Sequence, residues 1–284
     1  MEYGPFERPA LELIFGNLAL ARRLEWAEAK NAAGFAEAFA RSQGAAMTGV
    51  LAMAGGQAAF TGVGSPLTHA VGMGMAGPVS EAEMDRIEGF YATRGAAVTL
   101  DVCPLADASL HQLLGRRGYG ITEFNNVLVR RLEPGSFVNT LVNTSINPAH
   151  EVRRALPDEE AEWGRTVARG FFERDEMTSD ERSLTSTIFH LEGGACWLAA
   201  VEGATAAAAG MGIEDRVVTL FADSTIATYR RRGLQSALIQ ARLVYAAERG
   251  CDLATASTAP GSGSQFNYER LGFRVVYTKY IVSR

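Results

Sequence analysis

Apolar residues recur at helical spacing at the start of the chain, with Leu11, Ile14, Leu18 and Ala21 on one face and Phe35, Ala38 and Phe39 on another. The pattern predicts helix from Leu11 to about Arg41, divided in two near Asn31 and Gly34. Strand-like runs follow at 47–53 and 58–63, joined at Gly55-Gly56 as a hairpin, and a further strand is expected at 69–75. Ser80 with Glu83 three residues on reads as a capping box that opens a helix to about Arg94, ended by Gly95. A strand at 98–102, a helix at 105–117 stopped by Gly118 and a strand at 122–131 complete this half.

The second half repeats that order. Strand pattern at 152–155 leads to a helix opened by Pro157-Asp158-Glu159, with Trp163, Val167 and Phe171 on its apolar face. Strands at 196–201 and 205–213 come next, then a strand, turn and helix around 221–245, a strand at 252–256, a helix at 264–271 and a final strand at 273–282. Gly95 and Gly118 in the first half are spaced almost as Gly250 and Gly272 in the second, and Arg117-Gly118-Tyr119 echoes Leu271-Gly272-Phe273. The chain therefore reads as two copies of one α/β unit, residues 1–135 and 151–284, with a Pro-, Gly-, Ser- and Asn-rich linker at 136–150.

One stretch departs from the ordinary strand-turn-helix pattern. At 221–238 a β-branched run meets Arg230-Arg231-Arg232-Gly233, and an amphipathic helix follows at once through Leu234, Ala237, Leu238, Ala241 and Tyr245. The first turn of a helix has N–H groups without intrahelical partners and carries the positive end of the dipole. Gly233 lets backbone approach a ligand, and the arginines draw in a polyanion. The spacing matches neither a phosphate loop ending in Gly-Lys-Ser/Thr nor the three-glycine dinucleotide fingerprint, so a different nucleotide is implied.

Composition narrows the rest. With 284 residues, 47% hydrophobic and 21% charged, the chain has the make-up of a globular protein. The net charge of -5 argues against a general nucleic-acid partner and suits a cationic or neutral one. Cys103, Cys196 and Cys251 are odd in number and set in apolar segments, which suggests buried, reduced thiols and a cytoplasmic location. No cysteine pair has metal-ligand spacing and no metal is expected; neither a leader sequence nor a membrane span is read from the chain. Gly-x-Ser-x-Gly, His-Glu-x-x-His and Ser-x-x-Lys are all absent.

Arg230-Arg231-Arg232-Gly233-Leu234-Gln235 resembles the Gln/Arg-x-x-Gly-x-Gly/Ala signature of the GNAT superfamily of acyl-CoA-dependent N-acyltransferases, with Gln235 where Gly or Ala is usual. Tyr268-Glu269-Arg270-Leu271-Gly272-Phe273 resembles the Tyr-x-x-x-Gly-Phe ending of the same domain, a helix and a strand further on. The resemblance implies an α/β (α+β) fold of two GNAT-like units, each a mixed, mostly antiparallel sheet flanked by helices. It implies acetyl-CoA as co-substrate, its pyrophosphate held at Arg231, Arg232, Gly233, Leu234, Gln235 and Ser236, and its pantetheine arm beside Ile226, Ala227 and Thr228. Two parallel strands would splay apart between Ser224–Thr228 and 252–257, with the thioester in the gap. Tyr268 would protonate the departing thiolate, a task suited to a phenol with an ordinary pKa of about 10. Asp223 is the first candidate for the general base, followed by Glu214 and His190. Where the second half has arginines, the first has Glu81 and Glu83, whose carboxylates satisfy the dipole and repel a pyrophosphate, so only the second half is expected to bind CoA.

The expected reaction is direct transfer of an acetyl or acyl group to an amine of a small molecule or peptide in a ternary complex, by a monomer or homodimer. The acid-rich segment 172–181 is the candidate wall of an amine acceptor site. Two other functions fit the same motifs: a non-catalytic acyl-CoA-binding or regulatory protein, and an O-acyltransferase.

Overall fold

The computed structural model describes residues 14–44, 48–132 and 150–284; the start of the first expected helix, the beginning of the 47–53 run and the linker lie outside them. Helix α1 (Leu18–Gln43) starts later than the sequence predicts: Ile14 to Gly16 are not helical, and Asn17 caps the helix with a side chain that accepts from the N–H of Leu20. It runs unbroken through Asn31 and Gly34, where the sequence predicts a division. Both residues are there for close packing: a Cβ at Gly34 would lie 2.7 Å from the Leu191 side chain, and one at Gly212 would lie 2.4 Å from the Asn31 side-chain oxygen. Tertiary contact thus overrides the helix penalty of about 1 kcal/mol that glycine carries.

Strands β1 (Gly49–Met53) and β2 (Gly56–Phe60) form the expected hairpin. Strand β3 (Ala70–Val71) is far shorter than the predicted run, because Gly72 and Gly74 both adopt positive φ and turn the chain away. Helix α2 (Glu81–Ala92) carries the expected Ser80–Glu83 capping box, and strand β4 (Thr99–Val102), helix α3 (Ala108–Arg116) and strand β5 (Gly120–Arg131) follow. The second half comprises β6 (His150–Arg154), α4 (Glu160–Phe172), α5 (Ser179–Phe189), β7 (Gly194–Val201), β8 (Ala204–Glu214), β9 (Val217–Thr225), α6 (Leu234–Glu248), β10 (Leu253–Thr258), α7 (Gly263–Arg270) and β11 (Arg274–Ser283).

All the strands join one mixed sheet, in the order β1-β2-β3-β4-β11-β5-β10-β9-β8-β7-β6. The last strand of each half is exchanged. Strand β5 lies between β10 and β11 of the second half, and β11 lies between β5 and β4 of the first. Each half retains its own packed core: one gathers α1, α2 and α3 side chains such as Leu24, Ile87 and Leu110, the other α6 and α7 side chains such as Leu238, Leu243 and Tyr268. The pairings also fix directions. Strand β3 is parallel to β4, β9 is parallel to β10, and the three steps between β4 and β10 are antiparallel. The turn that leads into β3 and the C-terminal end of β9 therefore share one end of the sheet.

Candidate active site

Strand β9 pairs with β10 only from Val217 to Leu220 opposite Leu253 to Ala256. Beyond Leu220 it stays paired only with β8, while Ser257 and Thr258 of β10 stay paired only with β5. The splay thus begins slightly nearer the start of β9 than the sequence predicts. A bulge accompanies the parting: Ala222 and Asp223 together oppose Ala209, and Ala222 adopts φ +54. A bulge bends its strand and re-aims the side chains around it. Here it leaves Asp223 facing a cleft of about 810 Å³ that runs from the gap to the start of α6.

The turn after β9 is built to leave that helix start open. The strand ends at Thr225, and Ala227 to Tyr229 form a single 3-10 turn. Ile226 donates its N–H to Ala206 and its carbonyl accepts from Tyr229, and neither Ile226, Ala227 nor Thr228 lines the cleft. Arg230 is committed to the scaffold: it pairs with Glu173 at 2.7 Å and donates to the carbonyl of Gly170 at 2.8 Å, fastening the end of α4 to the turn. Arg232 stacks over Tyr229, and Arg231 lines the cleft; neither forms an ion pair among the described residues.

Gly233 caps α6 with φ +84 and offers no side-chain acceptor, and the first turn of α6 contains no acid. The N–H groups of Leu234, Gln235 and Ser236 are left without intrahelical partners at the positive end of the dipole. A Cβ on Gly233 would meet nothing within 4 Å, so glycine serves here for its left-handed backbone and for keeping that space clear. Gln235 lines the cleft, but its side chain is engaged by α7. Its amide donates to Ser264 at 2.9 Å and its carbonyl accepts from Asn267 at 2.8 Å, so the residue that departs from the motif ties α6 to α7.

Helix α2 makes the contrast. The Ser80 side chain and Glu83 satisfy its first N–H groups, and Glu81 sits there paired with Arg116 and Arg117. Hydrogen bonds from Ser80 hold the Glu83 carboxyl below its ordinary pKa, so it stays ionised where an incoming anion would need to go.

Asp223 and Tyr268, far apart in sequence, meet in the structure. The Tyr268 hydroxyl donates to one carboxylate oxygen of Asp223, and Arg242 donates to the other. Tyr268 is only 1% exposed, packs edge-on against Phe273 and lies behind Asp223, outside the cleft lining. Burial, and next the adjacent carboxylate, push its pKa well above the ordinary phenol value. Arg242 is fully buried and also donates to the carbonyls of Gly210 and Leu238, at 2.8 and 3.1 Å. The two motifs do not disclose this arginine. Its trace in the sequence is that it is the single charged residue between Leu234 and Ala247.

The other candidate bases lie elsewhere. Glu214 ends β8 beside Val217, at the end of β9 remote from the splay, and His190 caps α5 with its ring 3.0 Å from Glu160. In the segment 172–181 the acids are largely engaged: Glu173 with Arg230, Asp175 with Arg169 and Glu181 with Arg174. Among the described residues no group of His, Cys, Asp and Glu could hold a metal ion, and no helix is long and apolar enough to cross a membrane.

A parallel strand pair parted by a bulge leads into a helix start that no side chain caps, at one end of the sheet. Residues 159–273 match the model of the Acetyltransferase (GNAT) family, and this segment is a GNAT domain. The family supports acyl transfer as the general activity. Three solved structures share the larger architecture. A GCN5-related N-acetyltransferase from Kribbella flavida is 18% identical, with a TM-score of 0.62 over 90% of this chain and 94% of that one. A tandem GNAT protein from the clavulanic acid biosynthesis pathway is 14% identical, with a TM-score of 0.58 over 95% of this chain and 96% of that one. A functionally unknown conserved protein from Staphylococcus epidermidis is 12% identical, with a TM-score of 0.52 over 73% of this chain and 81% of that one. At these identities the likeness is one of fold. No curated protein matches the chain.

Proposed function

We propose that the protein is an N-acetyltransferase that moves an acetyl group from acetyl-CoA to an amine by direct attack in a ternary complex. The observation that carries this reading is the bare start of α6, with Leu234, Gln235 and Ser236 offering N–H groups beside Arg231, which has no ion pair among the described residues, at the foot of a splayed strand pair. A pyrophosphate suits those donors, and the gap beside Asp223 suits a thioester. Residues 151–284 form the acyl-transfer unit in this reading. Residues 1–135, whose matching helix start is closed by Ser80 and Glu83, form a unit without a CoA site, and 136–150 link the two.

The chemistry assigned to Asp223 beside the gap is a proton relay. An amine, already relieved of one proton to water, attacks the thioester carbon; its remaining extra proton passes to Asp223, and the C–S bond breaks. Asp223 then passes that proton to the CoA thiolate, while Tyr268, buried behind it, holds one carboxylate oxygen in place. Arg242 keeps Asp223 oriented throughout.

Calorimetric titration with acetyl-CoA tests the site: Gly233→Glu places bulk and a negative charge at the helix start and is expected to weaken binding at least about tenfold, while circular dichroism stays native. Unchanged affinity in that variant contradicts the assignment. The burial of Tyr268 favours one competing reading, a protein that binds acyl-CoA without transferring the acyl group. Tyr268→Phe separates the two. If the protein is an enzyme, the variant binds acetyl-CoA normally and loses about a hundredfold in thiol release; if wild type binds tightly and releases no thiol with any amine, the binding protein is the correct reading.

A further inference from the structure

A second hollow, of about 1370 Å³, lies outside the cleft just described. One wall is α4 and α5 of the GNAT segment, including Phe172 and Asp175; the other belongs to the first half of the chain, the end of α1 at Phe39 and the turn from Thr61 to Leu67 between β2 and β3. This turn is held in shape from within. Thr68 donates its hydroxyl to the carbonyl of Gly62 at 2.7 Å and accepts from the N–H of Thr61, and the Thr61 and Ser65 hydroxyls are 2.8 Å apart. As the strand directions establish, it stands at the same end of the sheet as the splay.

The two hollows flank one turn of chain. Gly170, Phe171 and Arg230 line the cleft, whereas Phe172 and Asp175 line the larger hollow. The lining is mixed, with Val63, Leu67 and Phe172 alternating with hydroxyls from Ser183, Thr185 and Ser186. Five carboxylates line it, Asp158, Glu160, Asp175, Asp180 and Glu181; Asp175 and Glu181 pair with arginines and Glu160 with His190. Its volume exceeds what a drug-sized ligand needs, roughly 300–1000 Å³.

We propose that this hollow seats the body of the acceptor, and that the acceptor is a bulky primary amine carrying apolar and hydroxyl- or amide-rich surface, selected in part by the 61–67 turn of the first half. The inference rests on the acyl-transfer reading above. It gives the half without a CoA site a role in specificity: its turn decides which amines can lie across the sheet end.

The test uses the full chain. Cys103, Cys196 and Cys251 are all buried, so Val63→Cys, at a position 68% exposed on the turn, presents one accessible thiol. Coupling a bulky maleimide there fills the hollow from the side of the first half, and the same label on Arg249→Cys, at the far end of α6, is the control. Acetyl-CoA affinity by calorimetry, and thiol release with ethanolamine, with kanamycin and with a hexapeptide bearing a free N-terminus, are then compared. The expected result is unchanged acetyl-CoA affinity in both labelled proteins, with kcat/KM for kanamycin or the hexapeptide falling at least tenfold in the Val63→Cys adduct only, and the ratio of bulky to small acceptor falling with it. Equal rates in the two adducts overturn the inference while leaving the acyl-transfer reading standing. Absence of thiol release from the unlabelled wild type with all three amines contradicts the acyl-transfer reading, and the inference falls with it.

Discussion

Asp223 owes its place to a single backbone irregularity. Without the extra residue at Ala222 the strand alternation would turn it to the other face; with the bulge it meets Arg242 and Tyr268 behind and the cleft in front. A second buried cluster lies where β11 meets α1 and belongs to packing. Glu25, fully buried on α1, accepts from Tyr277 at 2.8 Å and lies 3.1 Å from the ammonium of Lys279, which also pairs with Glu28 at 2.7 Å. Burial raises the Glu25 pKa to about 7, against the pull of Lys279. The folded state therefore holds a proton on Glu25 that the unfolded chain has already lost, between the ordinary carboxylate value near 4.5 and about 7. The stabilising contribution is full below that window and lost as pH rises through it. Urea melts at pH 5 and pH 8 should show wild type losing stability relative to Glu25→Gln by a few kcal/mol, on the order of 1.4 kcal/mol per pKa unit. A difference that does not change with pH would contradict the shift.

Among the elements, α4 on β9 is the contact on which the site depends most. Ser224 donates to the carbonyl of Val167 at 2.8 Å, and Gly170 lies so close that a Cβ there would stand 2.0 Å from the Ser224 hydroxyl oxygen. Gly170→Ala should cost about 1–3 kcal/mol in a denaturant melt. Adding Ser224→Ala, which removes the colliding oxygen, should recover part of it; additive losses in the double variant would show that the two positions do not press on each other. This contact was hidden in the sequence, whereas the features set by neighbouring residues were not. The Ser80–Glu83 box, the Gly55-Gly56 hairpin and the helix stops at Gly95, Gly118, Gly250 and Gly272 are local chemistry and appear where the pattern puts them. The arginine turn was legible for the same reason. Ala222 gave no signal, since nothing in an alanine announces positive φ, and Arg242 is recognised as buried only once Asp223 is seen across from it. Asn31 and Gly34 misled because they are small for packing and not for turning.

At the scale of the whole molecule, the repeat read from the glycine spacing takes a form that no local pattern encodes. Strands β5 and β11 have similar composition and length, and each ends up between strands of the other half. The first half therefore does more than cover a sheet: β5 flanks β10, one of the two strands that part to make the gap, and α1 reaches the site face through the Phe35–Phe221 edge contact at 5.5 Å. The central claim is that one anion site, at the start of α6, holds the CoA pyrophosphate and leads the acyl group to Asp223. A crystal structure of the acetyl-CoA complex tests it most directly. The account predicts pyrophosphate oxygens about 3 Å from the N–H groups of Leu234, Gln235 and Ser236, with the acetyl group in the gap beside Asp223 and the start of α2 empty. Acetyl-CoA bound elsewhere, or a pyrophosphate that leaves those three donors untouched, would contradict it.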